Sequence, residues 1–278
     1  MGDRPGPTTS VQARAVSGSE VRAKSDVVVS EEPLEIRLSV DGREHPIAIT
    51  MRTPGNDFEL AVGFLTTEGV LDGPADLAAV RYCVEPPAEQ AFNIVTVELR
   101  PGARVDLQRL SRNVYTTSSC GVCGKTSLEA IATQHHPPVP SGPTVDAAVL
   151  AGMPDVLLAK QRVFERTGGL HAAGLFDAHG TALIVREDVG RHNAVDKLVG
   201  ALVLEQRFPA SPSVLVVSGR ASFEILQKAV MAGIGFVAAV GAPSSLAVRA
   251  AEDFGMTLAG FVRDGSFNIY AGAERVVL

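Results

Sequence analysis

The run Val214-Leu215-Val216-Val217, ending at Ser218-Gly219, constrains the fold of this chain more than any other segment. Four successive apolar residues leave both faces of a strand to be covered, which is the condition of a parallel sheet layered on each side. The flanking sequence agrees. A helix over 222–232, a strand over 236–241 and a helix over 244–254 are expected to follow. The chain then closes with a hairpin of strands 256–263 and 267–271, turned at Asp264-Gly265-Ser266. Upstream, strands over 170–176 and 181–186 flank the turn Asp177-Ala178-His179-Gly180. A helix with Val195, Leu198, Val199 and Leu202 on one face comes next. Pro154 at a helix start and Gly168-Gly169 beyond its end bracket a further helix over 155–166. This alternation predicts an α/β domain with a mixed sheet over 144–278.

The first half reads differently. Residues 34–40 alternate apolar and polar side chains, Asp41-Gly42 signals a hairpin, and 45–51 continue as the return strand. A helix with Asn56 as N-cap spans 56–65, and strands are expected over 80–84 and 93–99. Residues 26–143 therefore form a smaller α+β domain. Pro137-Pro138-Val139-Pro140-Ser141-Gly142-Pro143 is the linker to the α/β half, and residues 1–25, rich in Gly, Pro, Ser and Thr, read as a disordered tail.

The charge balance bears on partners. With 25 basic and 31 acidic residues the formal net charge is -6. A chain that tracks nucleic-acid phosphates carries a basic excess instead, so no nucleic acid is expected. The uncharged stretch 229–248 is long enough for a membrane span, yet Gly233, Gly235, Gly241 and Pro243 favour a helix, turn and strand, so no membrane is expected. The first 25 residues hold no apolar core of a secretory signal. Three cysteines, Cys83, Cys120 and Cys123, are too few for a disulfide scaffold and suit a reducing compartment, the cytoplasm.

The sharpest chemical feature is Ser119-Cys120-Gly121-Val122-Cys123-Gly124-Lys125. A thiolate is the reactive form of cysteine, and cations and helix starts favour it. Lys125 follows the pair at once, and 126–131 look like a helix start. Glycines let a bulky partner approach the sulfur. Zinc would need two more ligands, for which His135 and His136 are badly spaced. A thioredoxin-type pair would want a βαβ unit beside it, and a pair of inert buried thiols would not want a polar loop. A zinc nucleobase deaminase needs His-x-Glu and Pro-Cys-x-x-Cys, and neither is present.

Two strand-to-helix junctions add charge. Arg186-Glu187-Asp188-Val189-Gly190-Arg191-His192-Asn193-Ala194-Val195-Asp196-Lys197 reads either as a ligand-binding junction or as a solvated, salt-bridged helix start. Ser218-Gly219-Arg220-Ala221-Ser222 offers a helix start and an arginine to a phosphate, but it is not a dinucleotide fingerprint.

Together with Thr167-Gly168-Gly169-Leu170-His171-Ala172-Ala173, the helix segment 56–65, and Ala242-Pro243-Ser244-Ser245, these segments resemble the formate dehydrogenase accessory sulfurtransferase family, FdhD. The likeness runs in order from about residue 30 to the C-terminus. Gly241 is a small departure, at a position where the family pattern suggests serine. The resemblance implies a sulfurtransferase that takes sulfur from a cysteine desulfurase and passes it to the bis-molybdopterin guanine dinucleotide form of the molybdenum cofactor, for formate dehydrogenase. Cys120 matches the persulfide cysteine and Cys123 its supporting partner. Phe261, Val262, Arg263, Asp264, Gly265 and Ser266 match the stretch that binds the cofactor, and 144–278 would be a three-layer α/β domain resembling the cytidine deaminase fold. The 186–197 and 218–220 turns are expected to line the same pocket. Implied partners are the desulfurase, the formate dehydrogenase catalytic subunit and the cofactor, with a homodimer as a further candidate. A cofactor chaperone that moves no sulfur covalently is the alternative, and a dithiol redox switch a third.

Overall fold

The computed structural model describes residues 4–83, 92–103, 139, 142–210 and 212–278. Two sheets organise them. The larger has the order β9-β8-β10-β11-β12-β13, from β8 (His171–Phe176), β9 (Ala182–Asp188), β10 (Val214–Val217), β11 (Phe236–Ala239), β12 (Thr257–Arg263) and β13 (Ser266–Ala271). Strands β10, β11 and β12 run parallel, while β8 is antiparallel to both β9 and β10.

The apolar run at 214–217 is explained by layers on both faces. Leu215 and Val217 pack with α4 (Arg191–Leu204), α5 (Phe223–Met231) and α6 (Ser245–Asp253). Val214 and Val216 face the other way, onto Leu150, Met153 and Leu157 of α2 (Ala147–Ala159). Burying a residue of this size is worth roughly 1.5–3 kcal/mol, so every position of the strand contributes. A parallel pair of short strands, β7 (Val145–Asp146) and β14 (Val276–Val277), closes the α2 side.

The smaller sheet has the order β4-β3-β6-β5, from β3 (Glu32–Val40), β4 (Arg43–Arg52), β5 (Leu77–Tyr82) and β6 (Ile94–Leu99). Helix α1 (Asp57–Thr67) covers it with Leu60, Ala61 and Leu65. Asn56 stands at the N-cap position, but in the left-handed region with no side-chain cap.

Three expectations change. Residues 8–29, read largely as a disordered tail, pair as the hairpin β1 (Thr8–Ser17) and β2 (Glu20–Val29) around Gly18. Its side chains are mostly exposed, so no apolar face announced it. Ser30 N–H donates to Pro7 O at 3.0 Å, and Val29 packs over Gly169. The helix expected over 155–166 is instead two helices, α2 and α3 (Arg162–Thr167). Asp146 starts the first by accepting from Ala148 N at 2.8 Å and Val149 N at 3.4 Å, which places Pro154 inside it. The strand expected over 80–84 is β5, which starts and ends earlier. Of the linker, only Val139, Gly142 and Pro143 are described.

The uncharged stretch 229–248 is divided among α5, β11 and α6, and no described helix is long and apolar enough to cross a membrane.

Candidate functional site

The strand directions bring the carboxyl ends of β9, β10, β11 and β12 and the amino end of β8 to one edge of the larger sheet. In an open α/β sheet this is the edge at which loops leave and ligands enter. Its loops are tied in series. Ser218 N–H donates to Ala172 O at 3.0 Å, Gly241 N–H to Gly219 O at 2.9 Å, and Phe261 N–H to Gly241 O at 3.1 Å. The 218–220 turn and the start of the 261–266 segment are thus separated by a single loop. A Cβ on Gly241 would stand 3.0 Å from Gly219 O and 3.1 Å from the Arg220 Cα, so glycine keeps this crossing narrow.

At the end of β12 the chain makes a bulge between Gly260 and Arg263. Phe261 adopts a φ of 55°, a left-handed conformation uncommon for an aromatic residue, and remains 36% exposed. Val262 is buried, and the Arg263 guanidinium carbon lies 5.8 Å from the Phe261 ring centre. Asp264 and Gly265, both at positive φ, form the two-residue turn, and Ser266 Oγ donates to Arg263 O at 3.1 Å. All six residues expected to bind the cofactor therefore occupy one hairpin tip at the loop edge.

The charged junction 186–197 divides into two roles. Most of it is structural. Arg186 donates to Glu59 on α1 at 2.7 Å, and Glu187 accepts from Val163 N and Phe164 N at the start of α3. Lys197 Nζ, 2% exposed, sits 2.7 Å from Asp188 Oδ2 and donates to Thr53 O at 2.9 Å. Asp188 also accepts from Thr53 N, Gly190 N and Asn193 Nδ2. On the far side of α4, Asp196 lies 2.9 Å from Lys228, and both bond Thr67 of α1. Although burial disfavours the ammonium, Asp196 and Glu68 hold the Lys228 pKa above its ordinary value. Asp188, Asp196, Lys197 and Lys228 are buried, and Arg186 and Glu187 half-buried, rather than solvated. They knit the two sheets together instead of lining a pocket, which corrects the expectation for 186–188, 196 and 197.

Arg191 and His192 stand apart from that network, at the first turn of α4 beside His171. Burial, then the Arg191 charge, push the His171 pKa below its ordinary value against the pull of Asp188. Burial, then Lys228 and Arg191, lower that of His192 to about 4. His192 Nε2 lies 3.4 Å from Ser222 Oγ at the start of α5. Both imidazoles are neutral near pH 7.

Cys120 and Cys123 lie outside the described residues, as do Lys125, His135, His136 and the helix start expected at 126–131. The described chain stops at Ala103, packed under the smaller sheet, and reappears at Val139 against the larger core. Sequence reasoning missed the seam between α1 and α4. The signal was Gly63 and Gly200, one glycine in the middle of each helix.

Comparison with known proteins gives four findings. The model of the FdhD/NarQ family matches residues 29–277. A protein of Streptomyces coelicolor named sulfur carrier protein FdhD is 56% identical over 262 residues, covering 93% of this chain and 92% of that one. One of the same name from Mycobacterium tuberculosis is 50% identical over 271 residues, covering 95% and 97%. The crystal structure of a protein described as a formate dehydrogenase accessory protein from Desulfotalea psychrophila superposes with a TM-score of 0.75 at 22% identity, over 97% of this chain and 99% of the other. That last likeness speaks for the fold.

Proposed function

Because the chain belongs to the FdhD/NarQ family, we propose that it is a sulfurtransferase carrying sulfur as a Cys120 persulfide. The donor is a cysteine desulfurase, and the acceptor is the bis-molybdopterin guanine dinucleotide form of the molybdenum cofactor. Formate dehydrogenase, through its catalytic subunit, receives the product, and the work is cytoplasmic. The observation that carries the reading is the extent of similarity to proteins named sulfur carrier, 56% identity over 93% of the chain, joined to the Cys-x-x-Cys segment at 120–123.

The chemistry follows from thiol exchange. The Cys120 thiolate attacks the outer sulfur of the desulfurase persulfide, the sulfur–sulfur bond breaks, and the desulfurase thiolate leaves. Cys120 then holds one extra sulfur. On delivery Cys120 leaves as a thiolate again, and the two electrons that make sulfane sulfur into sulfide come from the acceptor. Cys123, three residues on, supports the exchange without being consumed.

The hairpin tip fits a nucleotide substrate. Phe261 offers an exposed ring to a planar base, Arg263 offers a forked cation, and the turn at Asp264-Gly265 offers backbone N–H donors. The six-stranded unit, with β8 as the antiparallel strand beside β10, supports a cytidine deaminase-like fold for 144–278.

The test is maturation of formate dehydrogenase in cells lacking the native carrier. Cys120→Ala should abolish it while GDP binding persists. Full activity with Cys120→Ala would replace covalent transfer by a cofactor chaperone.

A further inference from the structure

The edges of the two large sheets are interrupted where another strand could add. In the six-stranded sheet, β9 and β13 each shift register against their neighbour. In the four-stranded sheet, β4 carries Pro46 and a register shift, and β5 shifts near Leu77. Bulges and prolines of this kind protect natural sheets from edge-to-edge pairing. The β1–β2 ribbon has neither. Its ten pairs run from Thr8 with Val29 to Ser17 with Glu20 without a shift, and no proline falls among them.

Closure by Gly18 and Ser19 makes Ser17 and Glu20 a hydrogen-bonded pair. By alternation, the N–H and C=O groups of Ser10, Gln12, Arg14 and Val16 turn away from β2. All four residues are exposed, whereas β2 packs against α3. A two-stranded ribbon is marginally stable by itself, and a third strand would complete it. Its base is fixed where Val29 packs over Gly169, two residues before His171, so the ribbon springs from the loop edge.

One charge on the ribbon has no partner. Arg22 pairs with Glu20 at 2.7 Å and Lys24 with Asp26 at 3.3 Å, both along β2. Arg14 lies opposite Ala23, with no carboxylate in ion-pair distance among the described residues. β1 contains no acidic residue, so pairing with a second copy of β1 would leave both arginines unmatched. The family's match begins at residue 29, which puts the ribbon before the part that carries the shared chemistry.

We propose that β1 is a docking edge for an extended segment of another protein, which adds as a third strand with an aspartate or glutamate opposite Arg14. Main-chain hydrogen bonds to residues 10, 12, 14 and 16 hold the segment, and the carboxylate sets its register. Val16, 68% exposed beside Val21, gives the segment an apolar neighbour at the tip. The docking edge does not rest on the sulfur-carrier reading.

The probe is the peptide Thr-Val-Thr-Glu-Thr-Val-Thr, with N-methyl groups on the two threonines beside the glutamate to block a further strand. A counterpart has lysine in place of the glutamate. Each is titrated into the full chain and followed by amide NMR. The glutamate peptide should bind saturably, shift the amides of Gln12, Arg14 and Val16 and slow their exchange. It should bind at least about threefold tighter than the lysine peptide, and Arg14→Glu should reverse that order. Gln12→Pro removes an N–H that faces away from β2, so it should abolish binding while the Val16–Val21 contact persists. Arg14→Glu carries the test should Gln12→Pro disrupt the ribbon. No saturable binding of the glutamate peptide, equal affinity for the two peptides, or undiminished binding by Gln12→Pro with an intact ribbon overturns the proposal. Ribbon amides that shift with protein concentration alone would make the occupant a second copy, and overturn it as well. Sulfur loading of Cys120 is independent of each of these readouts.

Discussion

Gly63 on α1 and Gly200 on α4 face each other across a helix crossing close enough to bring backbone against backbone. A Cβ on Gly63 would fall on the Asp196 carbonyl and reach 2.7 Å from Gly200 N, while one on Gly200 would fall on the Glu59 carbonyl. Two helices from different sheets therefore touch backbone to backbone. The same crossing lines up Asp196 with Lys228 and Thr67, and Lys197 with Asp188 and Thr53. Because α4 begins with Arg191, the seam that fixes α4 also fixes the first turn at the loop edge.

Substituting either glycine should split this seam. Gly63→Ala or Gly200→Ala is expected to cost ~3 kcal/mol or more, since backbone rather than a yielding side chain blocks the methyl group. Gly152→Ala on α2 meets nothing within 4 Å and should be neutral or stabilising by about 0.5–1 kcal/mol. Urea unfolding of the three variants gives the comparison.

The Lys197–Asp188 pair should behave as a buried charge that cannot be left alone. Lys197→Ala is expected to destabilise by about 3–5 kcal/mol. Asp188→Asn joined to Lys197→Met should cost less than the two single changes added together, as a double-mutant cycle would show.

Acid should weaken the fold through His192. Its folded pKa of about 4 lies below the ordinary 6.5, so the unfolded chain binds the proton first. The stability present above pH 6.5 is lost as pH falls towards 4, by no more than ~3 kcal/mol. Burial sets most of that shift; Lys228, Arg191 and His171, which face the ring, add to it, and Glu224 opposes it. His192→Gln should flatten the slope of chemical-denaturation stability between pH 6.5 and 4.

How much of this was legible follows from distance along the chain. The parallel strands were legible because Val214 to Val217 must be buried on both faces, a requirement written into four adjacent residues. The hairpin at 8–29 was not, because three of its six valines are exposed, none is buried, and four of them pair with polar residues. Helix α2 was displaced because Pro154 reads as a start, whereas the Asp146 cap eight residues earlier decides it. The roles of Asp188 and Lys197 were hidden because Thr53, the group they share, is 135 and 144 residues away. The hairpin turned at Asp264-Gly265 was legible from its turn residues, whereas the cofactor role expected of 261–266 came from resemblance, and the exposure of the Phe261 ring at a bulge could not be read from periodicity.

Cys123 should modulate rather than carry. Cys123→Ala is expected to slow formate dehydrogenase maturation while leaving a measurable fraction, whereas Cys120→Ala should leave none. Equal loss in both variants would point to a dithiol switch.

The most direct measurement is mass spectrometry of the chain after incubation with a cysteine desulfurase and cysteine, followed by transfer to the guanine dinucleotide cofactor. One additional sulfur atom on the peptide bearing Cys120, lost when the acceptor is added, is the predicted result. Sulfur that appears on Cys83 instead, or a Cys120 peptide that stays unmodified beside an active desulfurase, would contradict it.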